Sequence, residues 1–130
     1  MPRTITNPEG LHDPSNFGYS HVVSTSGDLV FIAGQVGVNP DAEVVSDEFE
    51  GQARRAYVNL GTALRSVGLD YSDVVMHTSH IVDHSPDKLA LILELGKKYW
   101  PTDSPAQTLL GVAALGAPHL LFEVDAVAVR

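Results

Sequence analysis

Residues 122–129, PheGluValAspAlaValAlaVal, alternate with the two-residue period of a strand, and the alternation fixes both of its faces. Phe122, Val124, Ala126 and Ala128 share one side, while Glu123, Asp125 and Val127 share the other. The first side is wholly apolar and must be covered by a second layer of structure. The second carries two carboxylates and points to solvent, a cleft or another subunit.

Two segments can supply the covering layer. From Asp47 to Val67 the apolar residues Phe49, Ala53, Ala56, Leu60, Leu64 and Val67 recur at three- and four-residue steps, one stripe of a helix. Ser46 can cap its start, Asp47, Glu48 and Glu50 suit the positive end of its dipole, and Gly68 supplies a stop. SerProAspLys at 85–88 reads as a cap followed by Pro in the first turn, opening a second helix through Leu89, Ile92, Leu93, Gly96 and Tyr99 that ends at Pro101.

The β-branched stretch 74–83 between them reads as a strand. Upstream, Ser20–Thr25 and Leu29–Gly34 flank SerGlyAsp, the signal of a hairpin. Residues 104–130 read as a closing pair of strands joined by a Gly and Pro turn, and residues 1–18 as an irregular lead-in with a short strand near Arg3–Ile5. The order strand, strand, helix, strand, helix, strand, strand predicts an α+β sandwich with both helices on one sheet face. At 130 residues with 44% hydrophobic content, the chain reads as a single domain over 1–130.

With no cysteine, disulfides, thiolate nucleophiles and thiolate metal sites are excluded. No apolar run approaches the roughly 20 residues of a membrane helix, and MPRTITNPEG lacks a signal core, so a cytoplasmic protein with no membrane contact is expected. The formal charge of −8 argues against nucleic acid as a partner. The only basic doublets, Arg54 with Arg55 and Lys97 with Lys98, fall on the helices, where a solvated face accounts for them.

Six histidines, His12, His21, His77, His80, His84 and His119, are the available imidazoles. His77 and His80 differ by three along a strand and so point to opposite faces; no spacing suited to a metal pair occurs, and no metal is expected. His84 and His119 fall at turns, Asn39 with Pro40 reads as a turn, and Tyr57 and Trp100 as packing groups. Glu123 is the one acid whose place in the pattern raises a functional question, although a strand glutamate is more often simply solvated.

Five blocks, AlaGlyGlnValGlyValAsnPro, PheGluGlyGlnAlaArgArgAlaTyrValAsnLeu, GlyLeuAspTyrSerAspValVal, SerProAla and PheGluValAspAlaValAlaVal, occur in that order. Over roughly residues 17–130 the chain thereby resembles the Rid family, the reactive intermediate deaminases also called YjgF-like proteins. The resemblance implies a chorismate mutase-like fold with a mixed sheet, and a homotrimer with ligand clefts between subunits. It also implies hydrolysis of small enamines and imines to a ketoacid and ammonia without a cofactor. Glu123 matches the family's water-orienting glutamate, Tyr19 a tyrosine that lines the cleft, and Gly34 the glycine whose loop approaches the ligand.

The family's ProAlaArg is ProAlaGln in this chain, so Gln107 stands where an arginine clamps the substrate carboxylate. A neutral amide for a two-pronged guanidinium should lower carboxylate affinity roughly 10 to 1000-fold. Ala33 replaces a frequent hydroxyl residue, His21 stands near a common glutamine, and Leu109 and Gly111 make the fifth strand more apolar. Two functions fit: a divergent imine or enamine hydrolase in which Glu123 orients water and Gln107, Tyr19, Gly34, His21 and Ala33 shape the binding wall, or a trimeric small-molecule-binding or accessory protein without turnover. The charge balance disfavours a ribonuclease.

Overall fold

A computed structural model of the chain describes residues 3–130. Strands β1 (Arg3–Thr6) and β2 (Val22–Thr25) form a small antiparallel sheet. Then come β3 (Leu29–Val36), helix α1 (Phe49–Arg65), β4 (Val74–Val82), helix α2 (Pro86–Tyr99), β5 (Ala106–Val112) and β6 (Phe122–Val129). The main sheet has the order β3-β6-β4-β5; β4 and β5 run parallel and the other pairs antiparallel, so the sheet is mixed. Both helices pack on one of its faces, as the sequence pattern predicts.

Two expected pairings are corrected. Ser20–Thr25 and Leu29–Gly34 do not form a hairpin with each other: β2 pairs with β1 and β3 with β6. SerGlyAsp is a corner between the two sheets, where Gly27 takes a φ of 132° that only glycine adopts readily and Asp28 C=O accepts a hydrogen bond from Arg130 N–H at 2.9 Å. Nor are the two closing strands neighbours, because β4 lies between them. The β4-α2-β5 crossover builds a parallel pair, and β6 inserts between β3 and β4, bonded on both edges. That central place suits the most apolar face in the chain: Phe122, Val124, Ala126 and Ala128 are all buried.

Local chemistry sets the helix ends. The Ser85 hydroxyl caps α2 by accepting from Lys88 N–H at 3.3 Å. Ser46, expected to cap α1, sits two residues early: Glu48 is the capping residue, and Ser46 Oγ accepts Glu48 N–H at 3.0 Å in the turn before the helix. Gly68, at φ 77°, ends α1 through bonds from Gly68 N–H to Arg65 C=O and Leu69 N–H to Leu64 C=O.

The layer between helices and sheet holds Tyr57, Leu60 and Leu64 of α1, Ile92 and Leu95 of α2, and Trp100. Buried Gln52 of α1 donates to Ser46 and His119 carbonyls and accepts Leu121 N–H at 2.8 Å, tying the connection into β6 to the helix. His77 lies in this layer, 1% exposed and stacked on Trp100 with ring centroids 4.5 Å apart. Burial pushes its pKa down to about 3. No helix among the described residues is long and apolar enough to cross a membrane.

Candidate functional site

The six residues singled out in the sequence fall into two groups on opposite faces of the main sheet. The first forms where the segment before β2 meets β5. Ser20 N–H donates to Pro105 C=O at 3.1 Å and Ser20 Oγ donates to Ser104 C=O at 2.6 Å, sewing this segment to the start of β5. Tyr19 is thereby set beside Gln107.

In the parallel register of β4 and β5, Gln107 pairs with His77 and Leu109 with Ser79, so both β5 side chains share the helix-covered face. Gln107 Nε2 donates to the buried Ser79 Oγ at 3.4 Å. Tyr19, Gln107 and Leu109 line a cavity of about 310 Å³. Leu89 and Leu93, one turn apart on α2, and Phe17 and His12 complete its lining.

His12 was not distinguished from the other histidines by any sequence spacing. It lies in irregular chain seven residues before Tyr19, and only the fold brings its Nε2 to within 2.5 Å of the Tyr19 hydroxyl. His21 does not line the cavity; its Nε2–H donates to the His12 carbonyl at 2.8 Å, and its ring meets that of His12 edge-on at 4.8 Å. His21 therefore touches His12, a residue of the lining, and not the cavity itself.

The second group sits on the face turned away from the helices. Between Ile32 and Gln35 the register with β6 slips, giving β3 one extra residue where Ala33 and Gly34 lie. A Cβ on Gly34 would come within 2.3 Å of Glu123 Oε2, so the carboxylate rests directly on the glycine backbone. His80 pairs with Glu123 across β4 and β6, and its Nδ1–H donates to the Glu123 carbonyl at 3.3 Å. An imidazole therefore stands beside the acid on this face, a neighbour that the strand register alone reveals.

Glu123 and Gln107 thus cannot face each other within one chain. The open face also carries exposed apolar side chains: Phe31, paired with Val127, is 74% exposed, and Leu110, paired with His80, is 44% exposed. Chemically, one half offers a walled pocket with neutral polar tips. The other offers a carboxylate on an open face.

The chain matches the family model described as Endoribonuclease L-PSP over residues 11–130. It is 36% identical over 98 residues to Reactive Intermediate Deaminase A, chloroplastic, of Arabidopsis thaliana, an alignment covering 75% of this chain and 51%, about half, of that protein. It is 30% identical over 102 residues to the 2-iminobutanoate/2-iminopropanoate deaminase of Homo sapiens, covering 78% of this chain and 72% of that one. Among solved structures, YyfB of the conserved Rid protein family from Yersinia pestis, a protein of unknown function, superposes with a TM-score of 0.93 at 38% identity over the whole of both chains. Rv2704 from Mycobacterium tuberculosis, of the YjgF/YER057c/UK114 family, gives 0.67 at 28% identity over 99% of this chain and 100% of that one. The mixed sheet with its two helices and these matches together establish that the chain belongs to the Rid, or YjgF-like, family.

Proposed function

We propose that the chain is a deaminase-type hydrolase of a small imine or enamine, acting without a cofactor in a cleft shared by neighbouring copies of a homotrimer. The observation that carries this reading is the division of the site: Tyr19 and Gln107 line a cavity on the helix side of the sheet, while Glu123 and Gly34 lie on the open side. Among the described residues no carboxylate lines the cavity, and each half is incomplete alone. The exposed apolar side chains beside Glu123 offer the surface on which a second copy would bring its cavity to the acid.

In such a cleft the cavity holds the substrate, and Glu123 accepts a proton from water as the water oxygen adds to the C=N carbon. Glu123 passes that proton to the imine nitrogen, giving the neutral carbinolamine, then takes the carbinol hydroxyl proton as the C=O bond forms and hands it to the departing nitrogen, which leaves as ammonia. An imine carbon is already electrophilic, so positioning and one base suffice. The names of the Arabidopsis and human relatives support this reaction class. The net charge of −8, and a cavity lined by no lysine or arginine among the described residues, favour a small metabolite over RNA. Gln107 favours a second reading, a trimeric binding or accessory protein without turnover, because a neutral amide grips a carboxylate weakly.

The test is to generate 2-iminopropanoate and larger 2-imino acids in situ with an amino-acid oxidase and follow ketoacid release. Acceleration by the wild-type protein, with kcat reduced about 100-fold or more in Glu123→Gln, is the expected result. No acceleration with any imine supports the binding reading instead.

A further inference from the structure

We infer that His12 is the residue that holds the acid group of the ligand in this cavity, and that the ligand is an organic acid with a branched or aromatic apolar body. The inference rests on the reading above for the place of the site, and adds the ligand's chemistry. Of the described residues lining the cavity, His12 alone can carry a positive charge; Tyr19 and Gln107 supply neutral hydrogen-bonding groups beside it. The rest of the wall is Phe17, Leu89, Leu93 and Leu109. A space of about 310 Å³ with four apolar walls exceeds what a three-carbon acid can fill, and rewards a side chain that covers them.

His12 is held in position, although it belongs to irregular chain. Its carbonyl is bound by His21 Nε2–H, its Nε2 by the Tyr19 hydroxyl, and its ring packs edge-on against Phe17 at 5.8 Å and Tyr19 at 6.0 Å. The adjoining turn is fixed as well, by Asp13 Oδ1 accepting Ser15 N–H at 2.9 Å and by Gly18 in the left-handed conformation at φ 75°. The polar groups of His12, Tyr19 and Gln107 and the apolar side chains of Leu89, Leu93 and Leu109 offer a ligand two kinds of contact: acid group at His12, side chain against α2 and β5.

Stable ketoacids, the products of the proposed reaction, serve as probes. Binding of pyruvate and of 4-methyl-2-oxopentanoate is measured by NMR titration of wild type, His12→Ala, His12→Gln, and His12→Ala combined with Gln107→Arg. The branched acid is expected to bind wild type about tenfold or more tightly than pyruvate. His12→Ala and His12→Gln should each weaken it about tenfold, and Gln107→Arg should restore binding by placing a cation in the lining of the same cavity. Equal binding by wild type and His12→Ala overturns the assignment of His12, and equal binding of both acids overturns the ligand class. Ketoacid binding that needs His12, in a protein that hydrolyses no imine, removes the hydrolase reading but leaves this inference standing. Turnover of 2-imino acids with a KM indifferent to His12→Ala does the reverse, and a protein that binds neither acid overturns this inference whatever its turnover.

Discussion

The two faces of β4 and β6 are made by alternate residues of the same strands, yet they behave as different materials. On the helix-covered face His77, Ser79, Val124 and Ala126 are buried, and the imidazole, stacked on Trp100, is held neutral by loss of solvent. On the open face, one residue away along each strand, His80 pairs with Glu123 and Thr78 with Asp125, all partly accessible. The lesson is that a histidine's chemistry in this fold is set by strand parity. His77 is part of the packing, and His80 is part of the surface on which the carboxylate sits.

The sharpest way to break this contrast is to place a charge on each side. Val124→Asp puts an unpaired carboxylate under the helices and is expected to cost about 4 kcal/mol or more, leaving no cooperative urea transition. Asp125→Ala, its immediate neighbour, should move the transition by no more than about 0.5 kcal/mol. Similar losses from the two variants would mean that the faces are not distinct.

Acid titration probes the same contrast through the histidines. His77 falls from its ordinary 6.5 to about 3 on folding. The unfolded chain therefore binds the proton more readily, so the stability that neutral His77 contributes is fully present above about pH 6.5 and is lost as the pH falls toward 3. The whole interval corresponds to at most about 5 kcal/mol. Denaturation midpoints from pH 7 to 4 should decline in wild type and flatten in His77→Phe, whereas His80→Gln should keep the decline. An unchanged slope in His77→Phe would assign the acid sensitivity elsewhere.

A smaller effect is expected at Gly34, on the open face. An added methyl group would collide with Glu123 Oε2, the far end of a side chain that can swing aside. Gly34→Ala should therefore lower kcat about tenfold by displacing the carboxylate, with little change in melting temperature. A variant that loses stability and keeps its activity would reverse the assignment.

Element types and faces were legible because they depend on local periodicity: the stripe from Phe49 to Val67 and the alternation from Phe122 to Val129 are properties of contiguous residues. Strand partners were not, since SerGlyAsp at 26–28 reads the same whether the chain folds back as a hairpin or crosses between sheets. The position of β6 between β3 and β4 is likewise decided by which strand has the most apolar surface to bury, not by the turn before it. Glu123 stood out through its place in the alternation and through resemblance. His12 did not, because an irregular segment has no period to betray which residues meet. The separation of Gln107 from Glu123 needed the parallel register of β4 and β5, which no local pattern encodes.

Subunit complementation tests the divided site most directly. One variant, Glu123→Gln, removes the acid, and a second, Leu109→Trp, fills the cavity; each alone should be nearly inactive toward 2-imino acids. Mixed by co-refolding in equal amounts, they should recover about one quarter of wild-type activity, because each half of a shared cleft is intact in half of the chains. Activity no greater than that of the two separate variants would show that both halves serve a single chain, and would contradict a cleft shared between copies.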